Sequence, residues 1–319
     1  MKTFRRYHGY DYSLGAFIFA TIATAPRRPL FGRVTAQGFE PNPFGAAVLE
    51  ALRHVAFTGK GVKLCAQTLM PDHLHARLYL ARGLPAPLET LGQFVASFKR
   101  YSNLLAKRHG AATGPIWQKG YHTLVCSQRR MVDDVDRYMA NNPVKWWLMK
   151  QHPWMLRVRE PLDLPDFGHD GFWRAIGETS LLDGKLVGVR ISQKVPPGEF
   201  PALVARYRDA ARQGFTVVST FVSPGERALL RAFAAEPGAR AIRVVPKPLA
   251  DPYRPGGDEP PLFAAGRFLL LAPCSAPEKM DRPWLLRMNE GLAAAAKASD
   301  GGLATYAVYE EGRVRMKRI

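Results

Sequence analysis

The sequence predicts an α/β (α+β) protein whose two halves are built differently. In the first half, two strand patterns separated by Met70-Pro71-Asp72 indicate a hairpin, and amphipathic helices accompany it. In the second half, short apolar strands alternate with helices, which is typical of a doubly wound parallel sheet. A Pro- and Gly-rich stretch lies between the halves. We therefore predict domains at residues 1–150 and 185–319, joined by a linker or docking segment at 151–184.

The first half contains three predicted strands and three predicted helices. Aromatic and β-branched residues predict strands at 15–24, 62–69 and 73–80. Apolar residues at helical spacing predict helices at 44–57, 88–108 and 130–142, the last of which Pro143 is expected to end. This order of elements predicts a small antiparallel sheet with helices on one face.

The second half follows a regular alternation. Strands are predicted at 186–191, 216–220, 241–245, 268–272 and 305–309. Helices are predicted at 199–213, 224–235 and 284–297. The alternation predicts a Rossmann-like parallel sheet.

The charge distribution points to a polyanionic partner. Residues 1–160 hold 23 Lys and Arg against 9 Asp and Glu, which leaves +14 of the total net charge of +18 in the first half. A basic surface binds nucleic acid because its Lys and Arg side chains displace the cations that are condensed on the phosphates. The other interpretation is a basic surface that has no partner. Three scattered cysteines favour a reducing, cytoplasmic setting. No apolar run is long enough to predict a membrane span.

His73 and His75 form an HxH pair on a predicted strand. Side chains at positions i and i+2 of a strand project from the same face, so the two imidazoles are expected to lie together. Imidazole binds first-row divalent metals, and a mixed nitrogen and oxygen site accepts Mg²⁺ or Mn²⁺. The alternative is a chance HxH pair with no metal.

Tyr138 and Asn142 are four residues apart on a predicted helix and therefore share a face. A tyrosine hydroxyl becomes a useful nucleophile when a metal polarises the phosphate that it attacks. The Asn142 carbonyl could supply a metal ligand. The alternative is a packed aromatic residue and an ordinary helix-end asparagine.

The two pairs together resemble the HUH single-tyrosine transposases, and among them the REP-associated tyrosine transposases. The segment from Gly114 to His122, with Trp117-Gln118 and Gly120-Tyr121, also matches, and the resemblance spans residues 5–150. Asp72 stands where the family more often has Asn. The resemblance implies a ferredoxin-like domain that binds Mg²⁺ or Mn²⁺ through His73, His75 and Asn142.

The resemblance also implies an activity. Tyr138 would attack single-stranded DNA next to a hairpin, leaving a 5′-phosphotyrosine link and a free 3′-OH, as in DNA transposition and recombination. Some members of the family are dimers. A domesticated nucleic-acid-binding protein without cleavage is the alternative function.

Basic and aromatic residues of the first half are candidates for contacts with DNA phosphates and unpaired bases. Trp117 could stack on bases or pack in the core, and His122 could be catalytic or merely polar. The DNA-binding candidates are Arg5, Arg6, Arg27, Arg28, Lys99, Arg100, Lys107, Arg108, Arg129, Arg130, Lys145, Trp146 and Trp147.

The second half resembles the DprA/Smf-like fold of the SLOG superfamily. In that fold a strand leads into a helix start that cradles phosphate with backbone N–H groups. Ser219, Ser223, Gly225 and Glu226 are the nucleotide-binding candidates, although Pro224 lacks an N–H group at this place. A nucleotide-sensing regulator and a purely structural domain are both open, and Glu226 could equally form a capping pair.

Overall fold

A computed structural model describes residues 10–167, 171–275, 282–299 and 303–318. The candidates Arg5 and Arg6 lie outside the described residues. The chain divides into two compact units, Met1–Trp147 and Leu148–Ile319. Within the described ranges, no helix combines the length and apolar character that a membrane span requires.

The first unit is built on a four-stranded antiparallel sheet. Its strands, in sheet order, are β4 (Val62–Met70), β5 (His73–Leu80), β1 (Ala16–Ala23) and β6 (His122–Cys126). The helices are α1 (Pro43–Thr58), α2 (Pro87–Arg108) and α3 (Arg129–Gln151), and β2 (Gly32–Thr35) pairs with β3 (Gly38–Pro41) in a separate hairpin. The strand–helix–strand–strand–helix–strand order around the sheet is the ferredoxin-like arrangement that was predicted.

Helices cover both faces of this sheet, so the prediction of helices on one face was wrong. Alternate strand residues such as Ile18, Leu74 and Leu78 share one core with α1 and α2. The opposite face carries Phe17 and Phe19, which pack with a smaller apolar cluster on and beside α3. That cluster comprises Cys126, Val132, Val135 and Met139. The two faces are therefore buried by different helices, and α3 covers the face to which His73 and His75 belong.

The helix α3 also continues past Pro143, although the sequence predicted that it would end at Asn142. A proline inside a helix removes the N–H group that normally donates to the carbonyl four residues earlier. Here that carbonyl belongs to Met139, and the Thr68 hydroxyl donates to it at 3.1 Å. The lost hydrogen bond is replaced from the sheet, which explains why the helix tolerates Pro143.

The second unit is built on an eight-stranded sheet, as the alternation predicted. Its order is β14 (Arg313–Arg318), β13 (Leu303–Glu310), β9 (Leu186–Ile191), β10 (Thr216–Ser219), β11 (Arg240–Val244), β12 (Phe268–Pro273), β8 (Phe172–Gly177) and β7 (Leu162–Asp163). The five strands from β13 to β12 are parallel, and the outer strands are antiparallel. The helices are α4 (Phe200–Arg212), α5 (Pro224–Ala235), α6 (Glu259–Ala264) and α7 (Arg282–Ala298).

Helices flank this sheet on both faces. Gly225 at the start of α5 lies against Ile191 of β9, whereas Gly188 of the same strand lies against Leu292 and Ala296 of α7. Residues 188 and 191 point to opposite faces because side chains alternate along a strand. The helices α5 and α7 therefore lie on opposite sides.

The sequence predicted an irregular linker or docking segment at 151–184, and this prediction missed two short strands. This stretch contributes β7 and β8, and β8 pairs with β12 so that Trp173 and Ala175 become buried in the core of the second unit. Prolines and glycines around these short strands obscured them in the sequence.

Candidate active site on the His73–His75 strand

His73 and His75 lie side by side at the start of β5, on the face covered by α3. Their Nε2 atoms are 3.1 Å apart, while Leu74 between them is buried in the opposite core. The hairpin turn before β5 is held by Thr24, whose backbone N–H and hydroxyl both donate to the Asp72 carbonyl, at 2.9 and 3.0 Å. The alternation predicted from the sequence therefore produces a converging imidazole pair.

The outer nitrogen of each imidazole already has a partner. Asp72 Oδ1 lies 2.5 Å from His73 Nδ1, and Thr21 Oγ1 lies 2.9 Å from His75 Nδ1. A carboxylate beside Nδ1 favours the tautomer in which that nitrogen carries the proton, so that the lone pair of His73 resides on Nε2. This arrangement leaves the two Nε2 atoms facing each other at hydrogen-bond distance, where one carries the proton and the other accepts it.

Burial keeps His75 neutral. Desolvation, and then the charges of His73 and Arg27, lower the pKa of His75 to about 3, against a small opposing effect of Asp72. Burial opposes ionisation of Asp72, but the hydrogen bond and charge of His73, together with Arg27, outweigh it and lower the pKa of that carboxyl. At neutral pH the site therefore combines a neutral His75 with an ionised Asp72.

The spacing of the two Nε2 atoms would allow both imidazoles to bind one divalent cation. Two nitrogens that each lie about 2.1 Å from one ion subtend an angle of about 95° when they are 3.1 Å apart. That angle is close to the right angle of an octahedral Mg²⁺ site. The described residues contain no cluster of three or more His, Cys, Asp or Glu side chains able to hold a metal. A third protein ligand would therefore have to be of another type, such as an amide.

Asn142 offers such an amide. Its side chain is only 9% exposed, and its Nδ2 finds no hydrogen-bond partner among the described residues. The atom without a partner is the amide nitrogen, a hydrogen-bond donor, whereas a metal would bind the carbonyl oxygen Oδ1 of the same side chain. Asn142 lies one helical turn beyond Tyr138, which contacts His75.

Tyr138 lies directly beside His75. The two rings meet edge to face with centroids 5.3 Å apart, and Phe19 packs against Tyr138 with centroids 5.8 Å apart. Tyr138 is nevertheless 44% exposed, so a substrate can reach it. Burial of the ring raises the pKa of Tyr138, and the charge of Arg27 acts in the opposite direction. The structure thus brings Tyr138 of the second residue pair beside His75 of the first.

Arg27 and His122 complete the surroundings of the site. Arg27 Nη1 lies 3.4 Å from Asp72 Oδ2, and the guanidinium is half exposed. His122 stands opposite Thr21 in the pairing of β1 with β6, on the same face as His75. Burial, followed by the charge of Arg27, lowers the pKa of His122. Sequence reasoning named both residues without connecting them to the histidine pair, because only the strand register reveals their proximity.

Trp117 and Lys99 have structural roles in the first unit. Trp117 is buried, stacks on Phe31 with centroids 5.1 Å apart, and donates from Nε1 to Ser102 Oγ at 2.7 Å. Lys99 Nζ donates to the carbonyls of Gln118 and Gly120 at 2.6 and 2.8 Å. Trp117 is therefore a core residue, and the Lys99 ammonium holds the loop that precedes β6.

The other DNA-binding candidates are spread over the first unit, on α2, on α3 and in the segment after β1. Two of them form ion pairs along α3, Arg129 with Asp133 and Arg130 with Asp134. Each aspartate partly neutralises the charge of its arginine. Arg28 donates its backbone N–H to Thr24 Oγ1 at 2.9 Å. The remaining candidates are exposed on α2 (Arg100, Lys107, Arg108) or partly exposed on the last turns of α3 (Lys145, Trp146, Trp147).

The predicted phosphate cradle of the second unit is occupied by the chain itself. The Glu226 carboxylate accepts hydrogen bonds from the backbone N–H groups of Ile191, Val222 and Ser223 at 3.0, 2.9 and 3.3 Å. Ser223 caps α5 in a reciprocal capping box with Glu226. These donors are therefore taken up by the carboxylate and not by a phosphate, while nucleotide binding at this place stays a prediction.

The two other residues of that prediction are structural as well. Ser219 is fully buried, and its hydroxyl accepts from the backbone N–H of Phe221 at 3.3 Å. A Cβ at Gly225 would lie 2.6 Å from Ile191 Cγ2, so glycine permits close packing of α5 on β9. Both residues serve the packing between β9, β10 and α5.

Comparisons with known proteins give distant similarities. No protein-family profile matches the chain. An uncharacterised protein of Haemophilus influenzae is 23% identical over 154 residues, which cover 43% of this chain and 85% of that protein. The chain also has low-level structural similarity to three solved structures.

These structures are a transposase, a transposase candidate and a DNA-processing protein. A REP-associated tyrosine transposase bound to a REP hairpin has a TM-score of 0.31 and 21% identity, over 46% of this chain and 74% of that one. A transposase candidate from Deinococcus radiodurans R1 has a TM-score of 0.29 and 19% identity, over 43% and 96%. DNA processing protein A from Helicobacter pylori has a TM-score of 0.36 and 18% identity, over 49% and 70%.

Proposed function

We propose that the first unit is a metal-dependent single-stranded DNA endonuclease and strand transferase that uses Tyr138 as its nucleophile. The observation that carries this proposal is the contact between Tyr138 and the histidine pair, with the Tyr138 and His75 ring centroids 5.3 Å apart. A hydroxyl nucleophile beside two converging imidazole nitrogens is the combination that attack on a phosphodiester needs. The net charge of +14 over residues 1–160 supports a nucleic-acid substrate.

The chemistry follows from the groups that surround the phosphate. The Tyr138 oxygen forms a bond to phosphorus, and the bond from phosphorus to the 3′-oxygen of the preceding nucleotide breaks. The products are a 5′-phosphotyrosine link and a free 3′-OH, and attack by a 3′-OH on that link reverses the reaction. Arg27, half exposed beside Asp72, is suited to bind a non-bridging phosphate oxygen.

His73, His75 and Asn142 would hold the divalent cation, Mg²⁺ or Mn²⁺. When bound, this cation polarises the phosphate as a Lewis acid. The protein's own contribution is to orient both imidazoles through Asp72 and Thr21, to keep His75 neutral by burial, and to set Tyr138 beside His75. The raised pKa of Tyr138 means that its proton must leave as the bond to phosphorus forms.

The decisive experiment uses the full chain and a set of single-stranded DNA hairpins. The hairpins are drawn from inverted repeats in the DNA that flanks the gene, and they are incubated with Mn²⁺ and run on a denaturing gel. We expect a covalent protein–DNA band that is lost in Tyr138→Phe and in His73→Ala. Tyr101→Phe, which removes the hydroxyl of another partly exposed tyrosine, is the matched control and should retain the band.

Binding without cleavage is the second candidate function. The raised pKa of Tyr138 and the lack of a third His, Cys, Asp or Glu metal ligand among the described residues favour it. In this case, salt-sensitive hairpin binding would be equal in the wild type and in Tyr138→Phe, and no covalent band would form with any hairpin.

A further inference from the structure

The Met139 carbonyl of α3 accepts a hydrogen bond from the sheet and not from a later residue of its own helix. In a regular helix the N–H of residue 143 would donate to the carbonyl of residue 139, but Pro143 has no N–H group. In a regular helix the Pro143 ring would also clash with that carbonyl. The Thr68 hydroxyl of β4 donates to it instead, at 3.1 Å.

This hydrogen bond is formed at the candidate active site. Thr68 is the direct partner of His75 in the pairing of β4 with β5. Met139 follows Tyr138 in the chain, and the Tyr138 ring contacts the His75 ring. These contacts link the four residues in a ring. Strand pairing joins His75 to Thr68, a hydrogen bond joins Thr68 to Met139, the chain joins Met139 to Tyr138, and a ring contact joins Tyr138 to His75.

We propose that Pro143 and Thr68 are positioning residues that set Tyr138 against His75. Because Pro143 has no N–H group, the Met139 carbonyl has no donor within the helix. The hydrogen bond that Thr68 donates to this carbonyl fixes the position of α3 on the sheet. The inference rests on the proposed function only in that Tyr138 is taken as the nucleophile.

The apolar contacts of α3 do not fix this position by themselves. The cluster beneath α3 has four buried members, and hydrophobic burial is not directional. The bidentate pair of Arg77 with Asp136, at 2.6 and 3.0 Å, holds α3 one turn before Met139. A nucleophile must be placed within about 1 Å of its reacting position, because larger errors reduce rates about a hundredfold. A directional bond next to Tyr138 provides that accuracy.

The test is a double-mutant cycle in the full chain. Thr68→Val removes the hydroxyl and keeps the shape, whereas Thr68→Ser keeps the hydroxyl. Pro143→Ala restores an N–H group that can donate to the Met139 carbonyl within the helix. Thr90→Val is the matched control, because Thr90 makes a similar hydroxyl-to-carbonyl bond elsewhere, on α2.

The first measurement is amide hydrogen exchange of the segment 138–147. Thr68→Val should raise its exchange about two- to tenfold, as expected for the loss of one hydrogen bond. Thr68→Ser and Thr90→Val should leave that exchange unchanged. In the Pro143→Ala background, Thr68→Val should have no further effect, because the Met139 carbonyl then has a helical donor.

The second measurement is the single-turnover rate of covalent attachment to a hairpin. Thr68→Val should lower this rate at least tenfold with unchanged DNA affinity, and Thr68→Ser should restore it. Equal exchange in Thr68→Val and the wild type, or an equal effect of Thr68→Val in both backgrounds, would overturn the proposal. If the wild type forms no adduct, the proposed function fails, whereas the exchange cycle still decides how α3 is docked.

Discussion

The burial of His75 predicts a specific loss of stability in mild acid. The side chain is 4% exposed, and desolvation, assisted by the charges of His73 and Arg27, lowers the pKa of His75 from 6.5 to about 3. The unfolded chain therefore takes up a proton at this residue below pH 6.5, whereas the folded chain does not. Acid favours the state that binds the proton, so the free energy of unfolding falls as the pH decreases from 6.5 towards 3.

The magnitude follows from the same two pKa values. Each pH unit below 6.5 costs about 1.4 kcal/mol for one proton, until the folded pKa is reached. Between pH 7.5 and pH 5, His75 should therefore remove about 2 kcal/mol from the free energy of unfolding of the first unit. That loss is a substantial part of the stability of a typical domain.

The assay compares urea unfolding of the wild type and of His75→Gln at pH 7.5 and pH 5, with EDTA present to remove metal. Tryptophan fluorescence follows the transition. We expect the wild type to lose about 2 kcal/mol more than His75→Gln over this interval. Leu74→Val, on the opposite face of the same strand, controls for destabilisation without a titrating group and should parallel the wild type. Parallel pH dependence in the wild type and His75→Gln would refute the reasoning.

Three further variants and one matched control test the roles assigned to other residues. Glu226→Ala should lower the free energy of unfolding of the second unit by about 2–3 kcal/mol, because three backbone N–H groups lose their acceptor; an unchanged urea midpoint would contradict the capping role. Gly225→Ala should cost about 1–3 kcal/mol in the same urea assay, since its Cβ would meet Ile191 Cγ2 at 2.6 Å; a neutral effect would show that the packing adjusts. Lys99→Met should lower the Tm, because the 118–120 loop loses its donor. The matched Lys107→Met should leave the Tm unchanged. It should reduce the slope of log affinity against log salt concentration for hairpin binding by about one unit. Equal melting of the two lysine variants would argue against a structural Lys99.

Local periodicity predicted the two halves of the candidate site separately. Alternation along β5 places His73 and His75 on one face, and the helical repeat places Tyr138 and Asn142 on one face. Periodicity did not predict that these faces would meet, because it does not specify which face of the sheet α3 covers. The evidence for that was weak in the sequence, since α3 contributes only a few apolar contacts.

Local rules were insufficient at two places where distant contacts decide. Pro143 would end an isolated helix, but Thr68, which lies 71 residues before Met139 in the chain, supplies the missing donor. At Glu226 the Ser-x-x-Glu spacing fits both a phosphate-binding helix start and a capping box. Only the positions of the Ile191 and Val222 N–H groups show that the carboxylate itself takes the place of an anion.

The unequal burial of the two sheet faces bears on how the site is assembled. The face with α1 and α2 contains the large core of the first unit. The strand side chains in that core project away from the face that carries the histidine pair. The face with α3 has a small apolar cluster, and polar anchors at Thr68 and Arg77 act beside it. Small clusters open at lower cost than large cores. Substitutions at the polar anchors should therefore disturb Tyr138 before they unfold the unit, whereas substitutions in the large core should reduce stability first.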